Sequence, residues 1–298
     1  MNNTRIFVTC LKIKKKGTNM DKKLLTIQDI SCVGQCSLTV ALPIISACGI
    51  ETAILPGALL SNHTAAGYSG WTFNDLTDEM PKILERWNKE NITFDAFYTG
   101  YVTKTQIEHI LKIMDKAAVP GALRIIDPAM ADNGKLYAGF DDNFPSEMAK
   151  LCKGADYILP NLTEASFLLG IPYAGSDYDQ AYIEKISRDL AKLGAKNVVI
   201  TGVSFEKGKI GASVYHSDSD SFEYYFNEWI DVSFHGTGDV FSSAFAGALM
   251  RGKSAIEAAK IAADFVVDSI KKTLDDKKDH WYGVKFEKAI PGLIKALE

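Results

Sequence analysis

Short apolar runs alternate with helix-patterned segments over the first two thirds of the chain. The runs that predict strands are Lys23–Gln28, Thr52–Leu60, Ala96–Thr99, Leu123–Ile126, Tyr157–Leu159 and Asn197–Thr201. The segments between them predict the helices Ser37–Ala47, a helix that ends near Asn88, Lys104–Lys116, a short helix from Thr163 to Gly170, and Tyr178–Leu193. Such alternation is typical of an α/β protein with an open, mostly parallel central sheet and helices on both faces.

The last third of the chain predicts a hairpin followed by helices. Ile210–His216 and Phe222–Glu228 flank the polar turn Ser217–Ser221, which is typical of an antiparallel hairpin. The helical segments are Asp239–Arg251, Ser254–Lys272 and Lys285–Leu297. Earlier in the chain, Asp75, or Thr77 with Asp78 close behind, is the predicted cap of the helix that ends near Asn88. No internal repeat or linker interrupts the pattern, so residues 20–298 predict a single domain.

The first 19 residues lack this pattern. Their apolar run Ile6–Leu11 is too short for a signal core or a membrane span, and the basic cluster Lys12–Lys16 follows it rather than preceding it. Met20 then opens the first well-patterned strand. We therefore expect residues 1–19 to form a disordered extension on which neither stability nor activity depends.

Composition and charge narrow the functional classes. Hydrophobic residues make up 47% of the 298 residues, which is enough for a large buried core, and no segment is long and apolar enough to cross a membrane. The formal net charge of -4 gives no electrostatic reason to bind nucleic acid. The five cysteines are odd in number, and no secretory signal precedes them, so we expect reduced thiols in a cytoplasmic protein.

Polar residues cluster where the predicted strands end. They are Asp29, Thr99–Tyr101, Asp127, Asn161 and Thr201–Gly202. The carboxyl ends of parallel strands meet at one edge of an open sheet, and ligands bind at that edge. We therefore expect these residues to surround a binding site.

The segment 235–248 carries the strongest chemical signal. It reads HGTGDVFSSAFAGA, a glycine-rich turn that runs directly into a helix of small and apolar residues. The free amides at the start of such a helix, together with its dipole, form an anion cradle for a transferring phosphoryl group, here the backbone of Gly236–Gly238. Asp239 lies at the mouth of this cradle, where its carboxylate can take the proton of an attacking alcohol. The alternative is that Asp239 merely caps the helix.

Three further segments favour a phosphotransfer site. Asp127 and Asp132 form a carboxylate pair just past a strand, which suits a hydrated Mg²⁺, although a solvated turn has the same composition. The segment Asn161–Glu164 follows another strand and could serve the same site. A purely structural role explains it equally well, with Thr163 as a helix cap and Glu164 interacting favourably with the helix dipole. The segment Ser61–Thr64 follows a strand in the N-terminal third, where an ordinary polar loop is the alternative.

These segments, in this order, resemble the ribokinase-like superfamily and, more narrowly, the pyridoxal/pyridoxine/pyridoxamine kinases. The likeness covers about residues 22–275. It is carried by Leu25–Gln28, Ser61–Thr64, Thr99–Tyr101, Asp127–Pro128, Asn161 with Glu164, and Gly236–Asp239. The Ser-Asn-His-Thr segment separates the vitamin B6 kinases from their relatives, and Asp239 stands where the related hydroxymethylpyrimidine kinases usually have Cys.

The resemblance implies a homodimer in which each protomer has one ribokinase-like sheet of about eight to ten strands. It implies ATP with Mg²⁺ as cofactors, often with a monovalent cation such as K⁺, and a B6 vitamer as the substrate. The implied activity is transfer of the γ-phosphoryl group of ATP to the 5′-hydroxymethyl group of the vitamer.

The resemblance also gives roles to individual residues. Asp239 matches the base, and the backbone of Gly236, Thr237 and Gly238 matches the anion-binding turn. Asp132 and Glu164 match the organisers of Mg²⁺ and phosphate, which act through water. The nucleotide-side positions are matched by Asp127, Tyr137, Asn161, Thr201, Gly202 and Thr237. The positions around the pyridine ring are matched by Asp29, His63, Thr64 and Tyr101.

Two residues depart from the family pattern. Asp29 stands where the family commonly has Ser, whose hydroxyl contacts the pyridine ring. A carboxylate there can accept from a ring N–H or from the amine of pyridoxamine, which would bias the enzyme among vitamers. Ala131 replaces a more usual Gly, and would be strained if its position required a positive φ.

Three alternatives remain open at this point. A hydroxymethylpyrimidine kinase would use the same chemistry on a smaller ring, but Asp239 and the Ser-Asn-His-Thr segment argue against it. A sugar kinase would carry an early double-glycine pattern that this chain lacks. A non-catalytic ligand-binding protein could keep the fold, because fold does not fix function, but it would not need Asp239, Asp132 and Glu164 together.

Overall fold

The computed structural model describes residues 22–64 and 67–298, so the predicted disordered extension lies outside the described residues. The strands are β1 (Lys23–Ser31), β2 (Glu51–Leu60), β3 (Phe73–Asp75), β4 (Phe94–Thr99), β5 (Ala118–Ile126), β6 (Ala131–Asp132), β7 (Lys135–Leu136), β8 (Tyr157–Ile158), β9 (Asn197–Val203), β10 (Lys209–His216) and β11 (Ser221–Glu228). The α-helices are α1 (Leu38–Ala47), α2 (Met80–Lys89), α3 (Ile107–Lys116), α4 (Phe144–Cys152), α5 (Leu162–Leu169), α6 (Gln180–Ala191), α7 (Thr237–Met250), α8 (Ala255–Lys271) and α9 (Ile290–Leu297). In these two ranges, no helix is both long and apolar enough to cross a bilayer.

Nine of these strands form one sheet in the order β11-β10-β9-β8-β5-β4-β1-β2-β3. The six central strands, from β9 to β2, all run parallel to their neighbours. The strands at the two margins, β3 on one side and β10 with β11 on the other, are antiparallel. The mostly parallel sheet and its helical cover confirm the predicted fold class.

Two apolar cores cover the two faces of the sheet. One packs α1, α7, α8 and α9 against it, and the other packs α3, α4, α5 and α6. Adjacent strand residues point to opposite faces, so Leu24 enters the first core and Leu25 the second, and both are fully buried. A strand buried on both faces has no polar face, which is why Leu24, Leu25 and Ile27 of β1 do not alternate with exposed polar residues.

The predicted start of the second helix is wrong. Asp75 pairs with Ala58 in the sheet, and its Oδ1 accepts a hydrogen bond from Thr77 N–H at 2.7 Å rather than capping a helix. A 3₁₀ turn at Thr77–Glu79 follows, and α2 begins only at Met80. The predicted helix Lys285–Leu297 is likewise divided into a 3₁₀ turn at Phe286–Lys288 and α9.

A small hairpin that the sequence pattern did not predict follows β5. Its strands β6 and β7 are joined by Asn133 and Gly134, both with positive φ, as a tight hairpin turn requires. Ala131 lies in β6 and is not among the described residues with positive φ, so the strain expected from the missing Gly does not arise. The helix α4 was also missed, although its buried residues Phe144, Met148 and Leu151 have helical spacing.

Candidate active site

The polar residues at the strand ends lie along one edge of the sheet. The chain leaving each strand is tied to the neighbouring strand end by backbone hydrogen bonds, since Gly100 N–H donates to Ile27 O at 3.3 Å and Asp127 N–H donates to Thr99 O at 3.0 Å. On the other side, Thr201 N–H donates to Pro160 O at 3.0 Å. The parallel sheet therefore brings together side chains that are more than 170 residues apart in sequence.

The glycine-rich turn begins α7 and leaves its first amides open. Gly236 is the N-cap residue, with φ 76° and ψ 2°, and a Cβ placed on it would lie 1.9 Å from Gln35 O. A Cβ on Gly238 would meet nothing within 4 Å. The turn is thus closed on the side of Gln35 and open on the side of Gly238, which leaves room for an anion at the free N–H groups.

This asymmetry predicts different outcomes for two alanine substitutions. Gly236→Ala is expected to cost about 1–3 kcal/mol of stability, because the methyl group overlaps a backbone carbonyl and the φ is positive. Gly238→Ala is expected to leave the melting temperature unchanged or slightly higher and to raise the KM for ATP several-fold, because its methyl group enters the space left for phosphate. Thermal melts and ATP titrations of both variants check this, and equal melting losses in the two would contradict it.

Asp239 does not cap α7. The cap position belongs to Gly236, and no side chain accepts the capping hydrogen bond. The Asp239 carboxylate turns instead toward the loop before α1, where its Oδ2 accepts a hydrogen bond from Ser37 N–H at 3.0 Å. Burial, and then the charge of Asp127, raise the pKa of Asp239 to about 7, while the Ser37 hydrogen bond lowers it. A carboxylate that titrates near neutral pH suits a general base.

A group of carboxylates surrounds the Tyr137 hydroxyl. Desolvation, followed by the charges of Glu164, Asp132, Asp239 and Asp127, raises the pKa of Tyr137 far above its usual value. Burial also raises the pKa of Asp127 to about 7, although its Oδ2 accepts a hydrogen bond from Ser242 Oγ at 2.7 Å. Asp127 follows β5 and Asp132 lies in β6, whereas Glu164 and Asp239 lie in α5 and α7. Because burial raises the pKa of Asp127 and Asp239 to about 7, these two acids are only partly ionised near neutral pH.

Glu164 and Asn161 cap each other at the start of α5. Asn161 Oδ1 accepts from Glu164 N–H, and Glu164 Oε2 accepts from Asn161 N–H, each at 2.8 Å. The alternative cap at Thr163 is wrong, because its hydroxyl accepts from Gly134 N–H instead. Glu164 Oε1 also accepts from Met130 N–H at 3.2 Å, so both carboxylate oxygens already hold backbone donors. Burial, followed by the charge of Asp127, raises the pKa of Glu164 well above its usual value, and the residue is only 3% exposed. The other metal candidate, Asp132, is exposed.

The remaining nucleotide-side candidates lie next to these acids. Thr201 forms a β-bridge with Asn161, and Asn161 Nδ2 donates to Ala131 O at 2.9 Å. Gly202 is exposed, and a Cβ on it would meet nothing within 4 Å. Thr237 is the first residue of α7, and its hydroxyl donates weakly to Phe234 O at 3.4 Å.

The four residues predicted around the pyridine ring divide into two pairs. Thr64 and Tyr101 line one cavity of about 490 Å³, which we call the vitamer cavity. Asp29 and His63 are not in its wall. Asp29 is only 4% exposed, and its Oδ2 accepts from Ser31 Oγ at 3.0 Å. Burial is the main cause that raises the pKa of Tyr101 to about 12 and that of Asp239 to about 7, and the charge of Asp29 adds to both shifts.

His63 lies behind the cavity in a group of rings. Its Nε2 is 3.0 Å from Tyr282 O, and its ring centroid is 5.0 Å from Tyr68, 5.4 Å from His235 and 6.2 Å from Trp281. Burial is the main reason why the pKa of His63 is lowered. The histidine therefore joins the loop after β2 to the segment before α9, and supports the wall that carries Thr64.

Aromatic residues that sequence reasoning missed form much of the vitamer cavity. Phe140 stacks on Tyr101 with ring centroids 5.2 Å apart, and Phe144 stacks on Phe140 at 3.8 Å. Trp71 and Phe73, from the chain before and within β3, are 44% and 43% exposed in the same wall. Exposed aromatic residues in a polar segment are a signal of binding that could have identified Trp71 and Phe73.

Comparison with known proteins places this chain in a family. A family model described as phosphomethylpyrimidine kinase matches residues 78–282, about two thirds of the chain. The chain belongs to the phosphomethylpyrimidine kinase family. Within that family, it is 30% identical over 248 residues to the pyridoxal kinase of Dictyostelium discoideum, and the match covers 76% of this chain and 78% of that protein. These two matches confirm the predicted kinase activity and the predicted likeness to vitamin B6 kinases.

Solved structures of family members have the same fold. A Bacteroides thetaiotaomicron protein assigned to the phosphomethylpyrimidine kinases, in a crystal form with pyridoxal, superposes with a TM-score of 0.86 at 37% identity, covering 91% of this chain and 95% of that one. The pyridoxal kinase from Lactobacillus plantarum superposes with a TM-score of 0.84 at 28% identity, covering 92% and 97%. The ribokinase-like class predicted from the sequence is therefore confirmed for this kinase.

Proposed function

We propose that this kinase transfers the γ-phosphoryl group of ATP to the 5′-hydroxymethyl group of a B6 vitamer. The observation that carries the proposal is the position of Asp239 in the open first turn of α7, hydrogen-bonded to the loop that follows β1. The neighbouring strand β4 leads to Tyr101, in the wall of an aromatic cavity of about 490 Å³. A cavity of this size with aromatic walls suits a small planar ring. The relative crystallised with pyridoxal supports the same substrate class.

The residues around α7 divide the work of phosphoryl transfer. Asp239 accepts the proton of the vitamer hydroxyl while the new bond to phosphorus forms. The backbone of Gly236, Thr237 and Gly238 stabilises the negative charge on the transferring group, because its N–H groups have no partner within the helix. Thr64 and Tyr101 hold the ring from the cavity wall. The nucleotide side is formed by Asp127, Tyr137, Asn161, Thr201, Gly202 and Thr237.

The acids at the sheet edge fit a magnesium ion bound with ATP. Their donor atoms are all carboxylate oxygens, which Mg²⁺ prefers, and the charges that act on them are mainly those of other acids. Among the described residues, no group of three or more His, Cys, Asp or Glu could hold a metal ion by itself. Asp132 and Glu164 would hold the ion through water, and its charge would offset that of the phosphates. A monovalent cation such as K⁺ fits the same excess of negative charge.

The raised pKa of Asp239 predicts a pH dependence. Because the base must be ionised, kcat/KM measured with both substrates far below saturation is expected to rise with pH through about 7. The charge of Asp127 contributes to that raised pKa, so Asp127→Asn should shift the acid limb to lower pH, whatever it does to the rate. An acid limb that stays in place in Asp127→Asn would contradict this electrostatic account.

A direct assay tests the proposed function. ATP consumption should be measured with pyridoxal, pyridoxine, pyridoxamine and hydroxymethylpyrimidine, each as the sole acceptor. Turnover with at least one B6 vitamer, at a kcat/KM well above that for hydroxymethylpyrimidine, is expected. Preference for hydroxymethylpyrimidine would replace the substrate assignment, and vitamer binding without turnover would identify a ligand-binding protein on the same fold.

We infer from the family resemblance that the kinase is a cytoplasmic homodimer built from the single domain 20–298. Sedimentation velocity at micromolar concentration is expected to give a species of about twice the chain mass of 32.7 kDa. A clean monomer at that concentration would contradict the dimer.

A further inference from the structure

The loop between β1 and α1 ends in a residue with unusual backbone geometry. Ser37 has φ 56° and ψ -131°, a combination that residues other than glycine rarely adopt, and it is only 5% exposed. An antiparallel β-bridge to Ile30 holds it there, which sets Ser37 beside the end of β1 that carries Asp29 and Ser31. Unfavourable dihedrals in a buried residue persist only where the surrounding contacts impose them.

Ser37 stands at a helix start without capping the helix through its side chain. It occupies the N-cap position of α1, but its side chain makes no capping hydrogen bond. Ser254, in the same position of α8, does accept from Glu257 N–H. The backbone N–H of Ser37 instead donates to Asp239 Oδ2 at 3.0 Å.

We propose that Ser37 is a positioning residue whose backbone N–H holds the carboxylate of Asp239 at the open start of α7. This inference rests on the proposed function for the role of Asp239. The β-bridge to Ile30 and the positive φ fix the direction of this N–H, so the backbone at position 37 sets where the proton acceptor stands.

The same loop also contacts the anion cradle. Gln35 O lies 1.9 Å from the place where a Cβ on Gly236 would stand, and Cys36 Sγ lies 3.5 Å from it. Gln35 is anchored in turn by its Nε2, which donates to Glu287 Oε1 at 2.8 Å. The loop therefore reaches the cradle at Gly236 and the base at Asp239, and a shift of Ser37 would disturb both.

Several titratable groups face Asp239 besides Ser37. They are Asp29, Asp127, Cys36, Tyr98 and Tyr137. Burial raises the pKa of the Cys36, Tyr98 and Tyr137 side chains, so these groups stay protonated near neutral pH. The titration of Asp239 near pH 7 therefore depends first on its burial, and then on the charges of Asp127 and Asp29 and on the Ser37 hydrogen bond.

Two substitutions separate the backbone contact of Ser37 from its side chain. Ser37→Gly removes the hydroxyl, tolerates the positive φ and keeps the N–H in place. Ser37→Val adds a β-branched side chain that is strongly disfavoured at this φ and displaces the N–H. Ser254→Ala is the matched control, since it removes a true cap far from the site and should lower the melting temperature without changing kcat.

Carboxyl titrations by NMR, in protein labelled with ¹³C at aspartate and free of substrates, decide the proposal. Ser37→Gly should leave the pKa of Asp239 in place, while Ser37→Val should raise it by about one unit and lower kcat about tenfold. An unchanged pKa of Asp239 in folded Ser37→Val would overturn the proposal. If Ser37→Val does not fold, the amide signal of Ser37 in ¹⁵N-labelled unsubstituted protein decides, because an N–H that donates to Asp239 should shift as that carboxyl titrates. An amide signal that stays fixed through this titration would overturn the proposal. Because these titrations need no turnover, their failure is distinct from a failure of the vitamer assay.

Discussion

Replacing Asp239 by Asn is expected to lower kcat at least about a hundredfold, because removal of a general base typically costs 10²–10⁴ in rate. The substitution keeps the shape of the side chain, and Asn Oδ1 can still accept the hydrogen bond from Ser37 N–H. The position of the loop before α1 should therefore survive, and so should the melting temperature and the affinity for ATP. Steady-state kinetics with the best B6 vitamer, thermal melts and ATP titrations measure the three quantities.

Two controls make the result for Asp239→Asn specific. Its rate should also lose the acid limb near pH 7, because the group that titrates there is gone. Asp141→Asn changes an acid in the wall of the vitamer cavity, where no proton transfer is expected, and should keep kcat within a few-fold. Turnover of Asp239→Asn close to that of the wild type would show that the carboxylate is structural rather than catalytic.

Replacing Asp29 by Ser is expected to lower the ratio of kcat/KM for pyridoxamine to that for pyridoxal about tenfold or more. A charge-assisted hydrogen bond to a buried group is worth about 1.5–3 kcal/mol, and 1.4 kcal/mol is a factor of ten. Burial raises the pKa of Asp29, so a cationic amine that approaches it would gain by stabilising the ionised form. Competition assays with the two vitamers in one mixture measure the ratio directly.

Asp75 provides the matched control for Asp29. After burial, which is the main cause, the charges of both carboxylates raise the pKa of Tyr101. Asp75, however, is exposed on β3, where solvent screens its charge. Asp75→Ser should therefore change the vitamer ratio less than about twofold. An equal change in the two variants would mean that general charge near the cavity, rather than a specific contact to Asp29, sets the preference.

The sheet edge could be predicted because its geometry follows from strand order. Apolar runs that end in Asp29, Asp127 or Asn161 imply parallel strands whose polar ends meet, and the structure brings these residues together. The cradle was also predictable, since a glycine-rich turn before a run of small residues leaves the first helical amides open. These features depend on local sequence and on one rule of topology.

Other parts of the site could not be predicted from local patterns. Ser37 reads as an ordinary helix cap, and only the contact with Asp239, 202 residues away, shows that it serves another purpose. The stack of Tyr101, Phe140 and Phe144 depends on how the chain after β7 packs, and the sequence gives no register for that packing. The helix start at Met80 was misplaced because pairing of β3 with β2 competes with the local capping preference of Asp75.

The strand order has a consequence for how the protein is made. β1 is the first strand to be synthesised but lies inside the sheet, between β2 and β4, and the loop that follows it contacts α7 from the last quarter of the chain. A nascent chain that stops before residue 239 can pair its early strands, but it cannot fix the loop before α1, because the partners of Gln35 and Ser37 have not left the ribosome. Contacts of such long sequence separation form late in folding. Phosphotransfer activity should therefore appear only when nearly the whole chain has been made.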